Sequence, residues 1–226
     1  MLLWLIETPV FQMPQLHKHF NVSCDFMEPP ILIDALNDDV FRILDKGYFL
    51  NQLDEKAVKA RWMGFGPASL QSIARKESEL RTTLPPSYKD FLLVSNGFRH
   101  ISMFIYKLYS VEEIDWAGNV EEERWLAGIE SDPIEVSDHD YSDYSENQRP
   151  ERFRPEYFRN SLKISDWGDA CCLFLNPNIQ HKGEWEVLFY ATWLPGTNRY
   201  RSFKDYLIET HEHNLNAIKA EDKNRS

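Results

Sequence analysis

Pro85-Pro86 divides the thirty residues from Leu70 to Arg99 and constrains the fold more than any other feature of the chain. Proline lacks an amide hydrogen and restricts the residue before it, so no helix runs through the step. Ahead of it, Leu70, Ile73, Ala74, Glu77 and Leu80 fall at i, i+3, i+4, i+7 and i+10. That spacing predicts a helix with three or four apolar groups on one face and Arg75, Lys76 and Glu79 turned to water. Behind it, Pro86 or Ser87 opens a second helix, because proline is tolerated in a first turn. Tyr88, Phe91 and Leu92 form its inner stripe, and Asn96-Gly97 closes it, glycine taking the left-handed conformation without strain. The pair reads as a docking platform with no chemistry of its own.

The flanking sequence divides by period. Residues 1–30, with prolines at 9, 14, 29 and 30, read as an irregular arm with at most one short strand. His17 and His19 stand two apart without a third ligand nearby, so they read as exposed polar residues. Helical spacing runs through 31–44 and 50–62. The Trp62 to Ser69 stretch then turns on Gly64, Gly66 and Pro67, and Ser69 caps the next helix. After Gly97, residues 101–106 form a near-continuous run of β-formers ending at Leu108-Tyr109, and Ser110 with Glu113 has the spacing of a capping box. Cys171 to Leu175 is wholly apolar, which suits a central strand buried on both faces, ended by Asn176-Pro177. Glu184 to Trp193 opposes it as a hairpin across 178–183. Ser202 caps a last helix with Phe203, Tyr206, Leu207 and Thr210 inward, extended by Leu215 and Ile218. His211 and His213 diverge on that helix, where a helix-end dipole suits them. Helices first, then strands, then a closing helix argue α+β.

Several blocks carry a resemblance. W-M-G-F-G-P-A-S from Trp62, then Ile73, Glu77 and Leu80, then L-P-P-S-Y-K-D-F-L-L-V-S-N-G from Leu84 stand in one half. G-D-A-C-C-L-F-L-N-P from Gly168, G-E-W-E-V-L-F-Y-A-T-W-L-P-G from Gly183 and R-Y-R-S-F from Arg199 stand in the other. In this order, from Trp62 to Leu207, the chain resembles the SUKH superfamily. That group includes yeast cell-wall-synthesis regulators and bacterial proteins that neutralise polymorphic toxins. The resemblance implies a single twisted, mainly antiparallel β-sheet flanked by helices. It places the domain over 31–212, with an acidic insertion at about 112–151 and a polar tail at 213–226, and it puts Tyr88, Phe91 and Leu92 in the core.

Charge is the most localised property of the chain. The net charge is −11, yet fourteen acidic and two basic residues between Glu112 and Glu151 give −12, so the remainder sums to +1. This disfavours nucleic acid and anionic membranes and favours a basic protein partner. Residues 129–150 have few aliphatics and read foremost as a solvated loop. Their functional reading is a contact surface of Glu130, Asp132, Glu135, Asp138, Asp140, Tyr141, Asp143 and Tyr144, with tyrosines giving contact area and carboxylates steering the partner. The aspartates lack the glycine and closing glutamate of a calcium loop.

No nucleophile elbow, P-loop, dinucleotide fingerprint or zinc spacing occurs, so neither a cofactor nor an enzyme is expected. Cys171 and Cys172 read as small core residues, since no basic group nearby lowers a thiol pKa. The three cysteines make no disulfide framework, and the opening MLLWLIETPVF has too short an apolar run and no basic flank for a leader or membrane span. The expectation is a cytoplasmic, monomeric immunity protein that binds a toxin domain. The alternatives are an adaptor of the cell-wall-synthesis regulator type and, third, an enzyme revealed by a deep polar pocket.

Overall fold

The computed structural model describes residues 27–47, 53–121, 123–131, 135–145 and 147–224. The arm up to residue 26, with His17 and His19, and Asp132 of the acidic segment lie outside the described residues. In chain order the elements are α1 (Pro29–Asp45), α2 (Glu55–Ala60), α3 (Leu70–Leu80), α4 (Pro86–Val94), β1 (Phe98–Arg99), β2 (Lys107–Leu108), β3 (Asp115–Trp116), α5 (Ala117–Val120), α6 (Glu123–Glu130) and α7 (Asp138–Tyr141). A 3-10 turn (Pro155–Tyr157), β4 (Leu162–Lys163), β5 (Cys171–His181), β6 (Glu184–Ala191), β7 (Thr197–Tyr200) and α8 (Phe203–Asn224) complete it.

Pro29 and Pro30 lie inside the first turn of α1, their fixed φ suiting a helix start. Ser69 and Ser72 form a reciprocal capping box at the start of α3. The apolar face of α3 is narrower than its spacing predicts: Ile73 and Leu80 are buried, whereas Leu70 is 72% exposed and Ala74 is exposed. Helix α4 follows the expectation. Tyr88, Phe91 and Leu92 are buried, and the Tyr88 and Phe91 rings stand 5.0 and 5.3 Å from that of Phe203 on α8. Gly97 turns the chain out of α4 at φ +91, and a Cβ there would sit 2.8 Å from the Leu108 carbonyl oxygen.

Two local expectations give way to side-chain hydrogen bonds. Residues 101–106 form a tight loop and not a strand, because Ser102 Oγ accepts from the amides of Phe104 and Ile105 while the Ile101 amide donates to the Ile105 carbonyl. Only Phe98–Arg99 and Lys107–Leu108 pair across it. At Ser110 the Glu113 carboxylate accepts from the Ser110 amide at 3.0 Å, but the chain makes a single turn there and enters β3.

The main sheet is antiparallel throughout, in the order β3-β4-β5-β6-β7. Strand β5 passes beyond Asn176-Pro177 to His181 because a bulge between Asn176 and Gln180 accommodates the proline. Lys182 and Gly183, both at positive φ, close the hairpin to β6 as a two-residue turn. Ser202 Oγ accepts from the Asp205 amide and caps α8, which runs to Asn224, past residue 212 where the sequence places the end of the domain. His211 is therefore mid-helix, and what holds it is the buried Asp39 carboxylate on α1, 2.5 Å from its Nδ1.

Strand alternation sorts the sheet into two faces. Cys171, Leu173 and Leu175 of β5, with Trp185, Val187, Phe189 and Ala191 of β6, join the core shared with α1, α3, α4 and α8. Cys172, Phe174 and Leu188 face the other way, into a second core with Ala117, Leu126 and Phe158, flanked by Trp125, Trp167 and Tyr190. The chain is α+β, but where a single sheet is expected the described residues form two, a five-stranded antiparallel sheet with helices on both sides and the two-stranded ribbon β1-β2, which the loop at 101–106 keeps short. The described residues between 117 and 158, which include most of the 129–150 stretch expected as a solvated loop, are the layer that covers the second face.

Candidate partner-binding face

The second face of the sheet has an apolar end and a polar end. Leu188 and Tyr190 occupy one. Glu186, two residues earlier on the same side of β6, occupies the other, paired in register with Asn176 of β5. Arg199 of β7 lies opposite Leu188, and both Glu186 and Arg199 are buried. An unpaired buried charge is heavily penalised, so each needs partners.

Those partners come from the acidic segment. Glu186 Oε2 accepts from the Tyr141 hydroxyl and from Asn176 Nδ2, both at 2.7 Å, and Oε1 accepts from the Tyr144 hydroxyl at 2.8 Å. Arg199 Nη1 stands 3.7 Å from the carboxylate and donates to the Tyr141 carbonyl, while Nη2 donates to the Asp143 carbonyl at 3.3 Å. Its guanidinium lies over the Tyr141 ring, 4.2 Å from the centroid. Burial raises the pKa of the Glu186 carboxyl, and the hydrogen bonds and Arg199 offset that only in part. Burial, followed by the Glu186 charge, raises both tyrosine hydroxyls. His181 touches the Tyr144 hydroxyl at 3.1 Å, and burial followed by Arg201 lowers its pKa.

A second attachment closes the sheet edge. The Gln148 side-chain amide pairs with the backbone of Arg199, accepting from its N–H at 2.5 Å and donating to its carbonyl at 2.9 Å, as a neighbouring strand would. The Thr197 amide donates to the Pro150 carbonyl at 2.9 Å. Gly196 permits this approach, since a Cβ there would lie 2.0 Å from the Pro150 carbonyl oxygen.

The predicted contact residues separate into three groups. Tyr141 is 3% exposed, and Tyr144 is half-buried with its hydroxyl on Glu186; they anchor the segment from beneath and do not form its outer surface. Glu130 faces Arg159, which also holds Glu123 through paired contacts of 2.9 Å. Glu135, Asp138 and Asp140 are exposed, the Asp138 side chain to 96%. Asp143 is partly exposed, its carboxylate held below its ordinary pKa by hydrogen bonds from Ser145. Arg154 and Arg152 approach Asp138 and Asp140 at 2.5 and 3.6 Å, so the basic residues just past Glu151 fold back over the acidic ones.

Elsewhere, a recess of about 300 Å³ lies where the starts of α1, α4 and α8 meet β6, lined in part by Glu28, Asp90, Glu184 and Lys204. Glu184 serves as a cap there, accepting from the amide and hydroxyl of Ser87 at 2.9 and 2.7 Å. Among the described residues no cluster of three or more His, Cys, Asp or Glu has the arrangement of a metal site, and no helix is long and apolar enough to cross a membrane. Burial pushes both Cys171 and Cys172 thiols up to about 12, the behaviour of core residues and not of nucleophiles.

Residues 67–209 match the SMI1 / KNR4 family (SUKH-1), a span that takes in α3, α4, the whole main sheet and the start of α8. The chain belongs to the SUKH-1 family. Comparison with curated proteins gives no match. The matched span of this SUKH-1 chain includes both halves of the buried network, Tyr141 and Tyr144 on one side and Asn176, Glu186 and Arg199 on the other.

Sequence reasoning missed Glu186, Arg199 and Gln148. A signal for the first was present: in E-W-E-V-L-F-Y, Glu186 shares its side with Leu188 and Tyr190, so a strand buried on both faces must bury that carboxylate too. Nothing in the spacing singled out Gln148.

Proposed function

We propose that this SUKH-1 domain is a cytoplasmic, monomeric immunity protein that blocks a basic toxin domain by direct binding, without cofactor or catalysis, and that the outer side of α7 is its contact face. The observation that carries the reading is the pairing of outward carboxylates at Glu135, Asp138 and Asp140 with tyrosines fixed from beneath by Glu186. A fixed acidic face steers a basic partner and loses little freedom on docking. Family membership supports a protein-binding role. The family is also named for SMI1 / KNR4, which favours a second reading, a regulatory adaptor of the cell-wall-synthesis type with a housekeeping partner.

The test is affinity capture from the native organism at low and high salt, read by mass spectrometry. Recovery of one basic, growth-inhibiting protein, with association slowed in the Asp138→Asn/Asp140→Asn/Asp143→Asn variant, is the expected result. Wild-type binding by that variant removes α7 as the face. Recovery of housekeeping proteins turns the reading to the adaptor.

A further inference from the structure

The way the acidic segment is fastened points beyond which residues touch a partner to which residue places them. Among the described residues Glu186 has four polar neighbours. Two belong to the segment, Tyr141 and Tyr144, and two to the sheet, Asn176 and Arg199. Arg199 in turn donates to segment carbonyls, those of Tyr141 and Asp143, with its two terminal nitrogens. The polar attachment of residues 141–144 to the sheet therefore passes through these two side chains, with His181 meeting the Tyr144 hydroxyl from the side. A leucine at 186 would continue the apolar face begun by Leu188, and replacing buried ion pairs by apolar groups often leaves stability unchanged. What the carboxylate adds is direction. Its two oxygens each accept one tyrosine hydroxyl, and this fixes α7 in rotation and height above the sheet.

We infer that Glu186 is the positioning residue of the acidic face: by accepting the Tyr141 and Tyr144 hydroxyls from beneath, it holds α7 and its outward carboxylates at one place on the sheet. The functional meaning of this role rests on α7 being the contact face, but the role itself is testable without a partner.

The experiment is hydrogen exchange with mass spectrometry on the full chain, comparing wild type with Glu186→Gln and with Tyr141→Phe/Tyr144→Phe. The expected result is exchange faster by roughly tenfold or more across residues 137–145, with β5 (171–175) and α8 (206–214) keeping wild-type rates. Wild-type rates across 137–145 overturn the inference. So does equal acceleration in all three regions, the signature of an ordinary core residue. Glu186→Gln leaves Arg199 buried without its counter-charge, so if that variant does not fold, the tyrosine pair decides, because it keeps Glu186 and Arg199 in place. The Asp138→Asn/Asp140→Asn/Asp143→Asn variant keeps wild-type exchange in 137–145 under this inference. Its partner binding then reports on the contact face alone, so the two readings fail separately.

Discussion

Phe158→Ala removes the ring at the centre of the second core, and its effect distinguishes a segment that closes the sheet from one that only lies against it. Phe158 is 1% exposed, and its ring meets those of Trp125, Phe153, Phe174 and Tyr190 at centroid separations from 5.3 to 6.1 Å. An aromatic side chain buries about 150–250 Å², which at ~25 cal/mol per Å² gives roughly 4–6 kcal/mol for the whole side chain. The retained Cβ and partial collapse of the neighbours reduce this, so the expected loss is about 3–5 kcal/mol. Set against a domain stability of ~5–15 kcal/mol, that is roughly a fifth of the total at the least. At ~2–4 °C per kcal/mol for a chain of this size, the melting temperature falls by about 10 °C. Urea denaturation at pH 7, followed by far-ultraviolet circular dichroism, measures the loss. Val120→Ala is the control, a 48% exposed residue of the same layer that is expected to stay within about 0.5 kcal/mol of wild type. A loss below about 1 kcal/mol for Phe158→Ala would mean that residues 117–158 do not pack on the sheet, and the two-core description would fall.

Arg199→Met is expected to cost about 3–5 kcal/mol at pH 7 by leaving Glu186 buried without its cation. Burial already raises the Glu186 pKa, so in this variant the folded state binds the proton more readily than the unfolded one. Stability then falls as pH rises through the window between the two values, and lowering the pH from 7 to 5 recovers part of the loss; the same deficit at both pH values would refute the assignment. The thiols of Cys171 and Cys172, pushed up to about 12, stay protonated in the folded chain while unfolded thiols ionise near 9. Stability is complete below pH 9 and declines from there toward 12, by up to about 1.4 kcal/mol per pH unit per thiol. Cys171→Ala/Cys172→Ala should flatten that slope in melts from pH 8 to 11, and an unchanged slope would sink the argument. Gln148→Ala opens the backbone of Arg199 at the sheet edge. The expected results are a loss of about 1–2 kcal/mol and concentration-dependent self-association in size-exclusion chromatography. A monomer with wild-type stability would show that Gln148 closes nothing.

Local signals in the sequence held where backbone chemistry decides the outcome. The Pro85-Pro86 step, the Ser69 and Ser202 caps and the apolar run at Cys171 all lie where they were read, because caps and prolines act within four residues of themselves. The differences arise where composition and spacing are overruled. Residues 101–106 have the composition of a strand, but the Ser102 hydroxyl takes the amides a ladder would need. Leu70 and Ala74 have helical spacing, but among the described residues no element packs against that side of α3 to bury them. Asn176-Pro177 has the chemistry of a strand end, but a bulge absorbs it. At Ser102 a local side-chain hydrogen bond outweighs the β preference, and in the other two cases a partner distant in sequence, or the lack of one, does so.

Charge shows the same effect most sharply. Counted along the chain, the acidic stretch ends at Glu151, one residue before the arginines at 152, 154 and 159. In the fold those arginines return across α6 and α7: Arg159 takes Glu123 and Glu130, Arg154 takes Asp138, and Arg152 approaches Asp140. The tyrosines invert in a similar way. Rigid rings between carboxylates have the composition of a contact surface, yet Tyr141 points inward because the sheet carries a buried carboxylate that needs hydrogen-bond donors, and its hydroxyl is one of them. A segment this acidic has too few aliphatics to fasten itself by burial alone. It is held by Glu186 and Arg199, and at the sheet edge by Gln148 and Pro150, which explains how a stretch with the composition of a mobile loop becomes a layer of the domain. It also explains why a contact face made of it would depend on a carboxylate that no partner touches.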